Sequence, residues 1–203
     1  MGLDITVLAV DWEQLARTPV GGREEVLWEA ACPDTDRDAE PEVGWVFPAS
    51  PEVPWCGRYE FHSTTGSYKP HFWAGEAWDD VRGFADPALR EALDGFLLDL
   101  SWDGEGVDDI PLYPEEGFFP GDAEPWRPRL LVACPPPTVS ALATRWARAE
   151  PLLERLREAY GVHAASPGRW IADFDEFTVL LREWAVVVGE TERRGWGLLG
   201  LPV

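Results

Sequence analysis

Two apolar stripes in the last third of the chain set the strongest limit on its fold. Val139, Leu142, Trp146, Ala149, Leu153, Leu156 and Tyr160 recur at alternating intervals of three and four, as do Phe174, Phe177, Leu181, Trp184, Val188 and Thr191. That spacing lays each set along one face of an α-helix, and each face has to be buried against something. The second stripe is punctuated at both ends. Asp173 with Glu176 forms a capping box, Arg193 and Arg194 suit the negative end of the helix dipole, and Gly195 suits the stop. About 21 residues make a rod of roughly 31 Å. Pro151 interrupts the first stripe, which predicts a kink or two helices in line. Both stripes read as core and carry no chemistry.

The rest of the chain supplies what those helices cover. Residues 3–10 are apolar and β-branched, which predicts a buried strand. Asp11 and Gln14 give a capping-box pattern for a short helix over 12–17. Gly21-Gly22 reads as a break, with a helix from Arg23 to Ala31. Five prolines between 32 and 58 predict a long loop with a short strand at Gly44–Phe47. A strand over Arg58–His62 follows, then helices at about 74–84 and 87–99, the second capped by Asp86 with Pro87 in its first turn. Arg129–Cys134 reads as a strand, and the three prolines after it launch the first striped helix. The expected fold is α+β, a small mixed sheet covered by helices, in a single acidic domain spanning 1–203. An α/β doubly wound sheet is the alternative, which further strands would decide.

Net charge is −20, and it is unevenly placed. Residues 1–126 hold 28 acids against 7 bases, whereas 127–203 hold 9 against 10. The densest stretch, Asp99 to Glu124, has no Lys or Arg. Five Pro and four Gly lie within 101–128, so that segment reads as a loop, a lid or a partly mobile strap. A field of this sign repels nucleic acid and anionic membranes and attracts basic partners. It also keeps a protein dispersed, which is the plainer reading of an acidic surface.

No apolar run approaches the ~20 residues of a membrane span, and the start Met-Gly-Leu-Asp lacks the basic residues of a signal peptide, so a cytoplasmic location is expected. Cys32, Cys56 and Cys134, odd in number and widely spaced, give neither a disulfide framework nor a metal knuckle. No dinucleotide fingerprint, phosphate loop, nucleophile elbow, HExxH or EF-hand loop is present, so neither a cofactor nor a metal is expected.

One stretch concentrates rare residues. Between Cys56 and Trp73 lie His62 and His71, two of three histidines, Tyr59 and Tyr68, two of four tyrosines, and Lys69, the single lysine against sixteen arginines. Glu60 and Ser67 stand among them. Such groups move protons, attack as nucleophiles and hold ligands. A small enzyme or ligand-binding domain would use His62, Lys69 and His71 as catalytic groups, with Tyr59, Glu60, Ser67, Tyr68 and Trp73 binding the ligand. The plainer reading makes the histidines hydrogen-bonded structural residues and the lysine a chance survivor.

Trp45, Trp55, Trp102, Trp126 and Trp170 fall in expected loops, where they either cage a cation or pin long loops to the body. The favoured reading is an interaction protein, such as an inhibitor or immunity protein, that engages a basic partner. Trp102, Asp103, Glu105, Asp108, Asp109, Glu115 and Glu116 would then carry the contact.

Overall fold

A computed structural model describes residues 5–32, 43–62, 69–100, 117–165, 171 and 173–202. At its centre stands β1 (Ile5–Val10), six residues that are all buried. Burial on both faces explains why β1 reads as one apolar run rather than an alternation. Its side chains still divide by the period of two. Ile5 and Val7 enter one core, and Leu8 and Val10 enter the other.

The sheet is built from β2 (Gly44–Val46), β3 (Cys56–Glu60), β1, β5 (Gly197–Pro202) and β4 (Val132–Cys134), in the order β2-β3-β1-β5-β4. Every pairing is antiparallel. The fold is therefore α+β, as the sequence implied, but the sheet is wholly antiparallel rather than mixed. The doubly wound alternative does not apply, because no two neighbouring strands of this sheet are parallel. Val7 lies opposite Tyr59 and Val10 opposite Cys56, while Leu8 faces Leu199 across the other edge. These pairs keep the two core faces in register.

On one face lie α3 (Lys69–Val81), α4 (Pro87–Leu97), α5 (Pro136–Ala149), α6 (Arg157–Ala164) and α7 (Phe174–Arg194). The α5 helix packs against both α4 and α7. Pro151 lies in a 3-10 stretch over Glu150–Leu156 that joins α5 to α6, so the first stripe is divided while Leu153, Leu156 and Tyr160 stay buried. The α7 helix begins with Asp173 accepting from the Glu176 amide at 2.8 Å and stops at Gly195, whose φ of 69° is left-handed.

On the other face lie α1 (Trp12–Arg17), α2 (Val20–Ala31) and the irregular chain around Ala49–Trp55 and Phe118–Leu130. The α2 helix runs through Gly21 and Gly22, which do not break it. Arg23, 1% exposed, ties this layer together. Its guanidinium donates to the carbonyls of Leu15, Ala16 and Thr18, each at 3.0 Å, and to both oxygens of Asp122. It also lies over the rings of Phe119, at 4.4 Å, and Trp126, at 5.4 Å. Part of the acidic 101–128 segment is thus packed: residues 117–128 place Phe119 and Trp126 in the second core.

One central strand went unexpected. Residues 197–202 read Gly-Leu-Leu-Gly-Leu-Pro, with no β-branched residue, yet β5 sits between β1 and β4. Packing requires its glycines. A Cβ on Gly197 would lie 2.2 Å from the Trp12 ring, and one on Gly200 would lie 3.0 Å from Ile5 and Val132.

Candidate functional site

The 59–73 stretch leaves the end of β3 and enters α3, and both meet α7. Tyr59 points into the core beneath the helices, edge-on to Trp45 and Phe61. Burial, aided by the negative charge of Glu183, pushes its phenol up to about 12, so it stays protonated. Glu60, half-buried, follows on the opposite side of the strand. Phe61, His71 and Trp184 form a triangle of rings, with centroids 4.5, 4.9 and 5.3 Å apart.

Within that triangle His71 is 3% exposed, and its Nδ1 accepts from the Trp184 indole N–H at 2.8 Å. Burial lowers its pKa to about 3, which keeps the ring neutral across the physiological range. His62 takes the opposite position, exposed at the surface. Its backbone amide donates to Glu183 Oε1 at 2.7 Å, and its Nδ1 stands 3.3 Å from the same oxygen. Glu183, on α7, is itself largely buried. Lys69 opens α3 as an exposed residue, and Trp73 packs half-buried against the first core.

The structure thus gathers Tyr59, His62 and His71 around Glu183 and Trp184 of α7, with one imidazole inside the core and one outside. Ser67 and Tyr68 lie outside the described residues, as do Trp102, Asp103, Glu105, Asp108, Asp109, Glu115, Glu116 and Trp170. The sequence offered no sign of Glu183: it falls between stripe positions of a helix read as core alone.

Cys56 belongs to the second core, across the sheet from His71, and burial pushes its thiol far up. Among the described residues no three His, Cys, Asp or Glu side chains converge to hold a metal. No described helix is long and apolar enough to cross a membrane. Trp45 stacks on Phe47 and Trp126 on Phe119, so both pin irregular chain to the body.

No known protein family, curated protein or solved structure matches this chain.

Its surface charge is sorted by element. The acids of α4 and its flanks are met by arginines from the C-terminal part: Asp86 by Arg155 at 2.7 Å, Glu91 by Arg148 at 3.2 Å and Asp99 by Arg145 at 3.8 Å. Asp94 is taken by Arg82 and by the Trp78 indole. The imbalance between the two parts of the sequence is therefore partly cancelled across the α4–α5 contact. On α2, Glu24 and Glu25 are exposed and form no ion pair among the described residues, and the same holds for Glu76 and Asp79 on α3.

Two clefts open on the surface. One, of about 560 Å³, runs between α3 and α4. The other, of about 660 Å³, lies where Trp12, the prolines that start α5 and Trp196 meet. In the second, Arg194 lies 3.6 Å over the Phe47 ring and is paired with Glu190, so its cation is already engaged.

Proposed function

We propose that this chain is an acidic protein-interaction module that docks a basic partner, as an inhibitor or immunity protein would. The supporting observation is the sorting of charge: acids on α4 are neutralised from within, whereas Glu24 and Glu25 on α2 and Glu76 and Asp79 on α3 are exposed and form no ion pair among the described residues. A localised field of that kind speeds encounter with a cationic surface and weakens with salt. The test is affinity chromatography on the immobilised chain, with retained proteins identified and their association rates followed against salt. A basic protein should be held at low ionic strength, with kon falling at least tenfold between roughly 20 and 500 mM salt. Retention of no basic protein even at the lowest salt sinks the reading.

A second reading, a small enzyme or ligand-binding domain with a polar site around residues 59–73, draws support from the meeting of Tyr59, His62 and His71 at Glu183 and Trp184. A thermal-shift screen of small ligands tests it. A ligand that stabilises the native chain but not a His62→Ala variant supports a site there. Stabilisation equal in both removes it.

A further inference from the structure

We propose that the cleft between α3 and α4 seats an amphipathic helix of the basic partner. That helix carries leucine-sized side chains three and four residues apart, flanked by lysine or arginine. The inference rests on the basic-partner reading and names the surface and the shape of what binds it.

The cleft combines two features that rarely share one surface. Phe72, Trp78, Leu97 and Leu98 supply apolar lining, and Gly75 on α3 puts no side chain into the space. Leu98 is 75% exposed at the end of α4, and Phe84, 71% exposed, stands at the turn between the two helices. Glu76 and Asp79 line the α3 side together with Arg82. Neither acid forms an ion pair among the described residues, although the Arg82 guanidinium, held mainly by Asp94, also feels the charge of Asp79, so the lining keeps a net negative charge. Asp94 lines it too, but its carboxylate is held by Arg82 and Trp78 and takes no part.

An apolar occupant alone would strip water from Glu76 and Asp79 without replacing it, which is costly. An anionic occupant is repelled. A purely cationic one leaves Leu98 and Phe72 wet. The occupant must therefore carry both characters along one side, and an amphipathic helix does so with its period of 3.6. Two packed helices present ridges and grooves that accept a third, and the 13 residues of α3 give a seat of roughly 20 Å.

The probe is a fluorescein-labelled 14-residue Leu/Lys peptide with leucines at helical spacing, measured by anisotropy on the full chain at low salt. Two controls replace every Leu by Ser or every Lys by Glu. The Leu/Lys peptide should bind at least tenfold more tightly than the Ser/Lys control, and the Leu/Glu control should not bind. Leu98→Glu and the double change Glu76→Lys with Asp79→Lys should each weaken the Leu/Lys peptide at least tenfold. Glu158→Lys with Glu192→Lys, exposed acids outside the cleft, should leave it within twofold. Hydrogen exchange should show protection confined to α3 and α4. That measurement needs no variant and decides the matter if Leu98→Glu unfolds.

Equal binding of the Leu/Lys and Ser/Lys peptides, or binding unmoved by the α3 and α4 changes, overturns the cleft and leaves the basic-partner reading standing. Failure of the Leu/Lys peptide, the Ser/Lys peptide and poly-lysine alike at low salt removes both. A concentration-dependent dimer abolished by Leu98→Glu assigns the cleft to a second copy of the chain and overturns the proposal.

Discussion

Replacing Arg23 by methionine should cost this fold about 3 kcal/mol. Removing one member of a buried ion pair costs about 3–5 kcal/mol, because the other charge loses its partner without regaining water. The lower end applies here for two reasons. Asp122 keeps 11% of its side chain exposed and can recover some hydration. The Leu15 carbonyl also accepts the Thr18 amide at 3.2 Å, so it is not orphaned. Lost contact with Phe119 and Trp126 adds to the cost, and the methionine stem recovers part of it. With a urea m-value of about 2 kcal/mol/M, the unfolding midpoint should fall by about 1.5 M. Arg23→Lys should lose about half as much, since an ammonium cannot fork onto a carboxylate and reach three carbonyls together. Combining Arg23→Met with Asp122→Leu should cost less than the sum of the single changes, because no unpaired charge is left behind. A midpoint within 0.3 M of the parent for Arg23→Met (about 0.6 kcal/mol at that m-value) refutes this account of the second core.

Three further outcomes follow from other buried groups. The Tyr160 hydroxyl is buried with no hydrogen-bond partner among the described residues, so Tyr160→Phe should leave the thermal midpoint unchanged or raise it by up to about 1 kcal/mol in stability; a loss of that size reveals a partner. Gly197→Ala should cost about 1–3 kcal/mol, because its methyl would lie 2.2 Å from the Trp12 ring, and denaturation should show the loss largely relieved by Trp12→Leu. His71 has a folded pKa of about 3, far below that of the unfolded chain, so acid favours unfolding at this site. Stability should fall as pH drops from about 6.5 toward 3, with a contribution near 1.4 kcal/mol per pH unit for the one proton taken up on unfolding. His71→Gln keeps an acceptor for Trp184 and should remove that component from a pH series of urea melts.

Helices were legible where local chemistry decides them. Asp11 caps α1, Asp86 caps α4, and Asp173 with Gly195 brackets α7, each as its neighbours in sequence suggest. Strand β5 was not legible, since its glycines answer to Trp12, Ile5 and Val132, residues far away in the chain. The reverse error arose at Gly21-Gly22, where tertiary packing of Leu27 and Ala30 carries a helix through a local break signal. At the 59–73 stretch, rarity alone pointed to a cluster, but it could not tell that α7 would draw His71 inward and leave His62 outside. The α3–α4 cleft was invisible for the same reason. Glu76 and Asp79 look like any helical acids until α5 is seen to neutralise α4 and to leave α3 untouched.

The sheet's pairing order also dictates how the chain must be assembled. Strand β1 gains β3 on one edge after some fifty residues, but on its other edge Ile5 pairs with Pro202 and Val10 with Gly197. During synthesis that edge stays open, with its amides and carbonyls unmatched, until nearly two hundred residues have emerged. A ribosome that has completed α7 therefore holds a chain whose helices are made but whose central strand still lacks its second neighbour, and the six residues of β5 supply it.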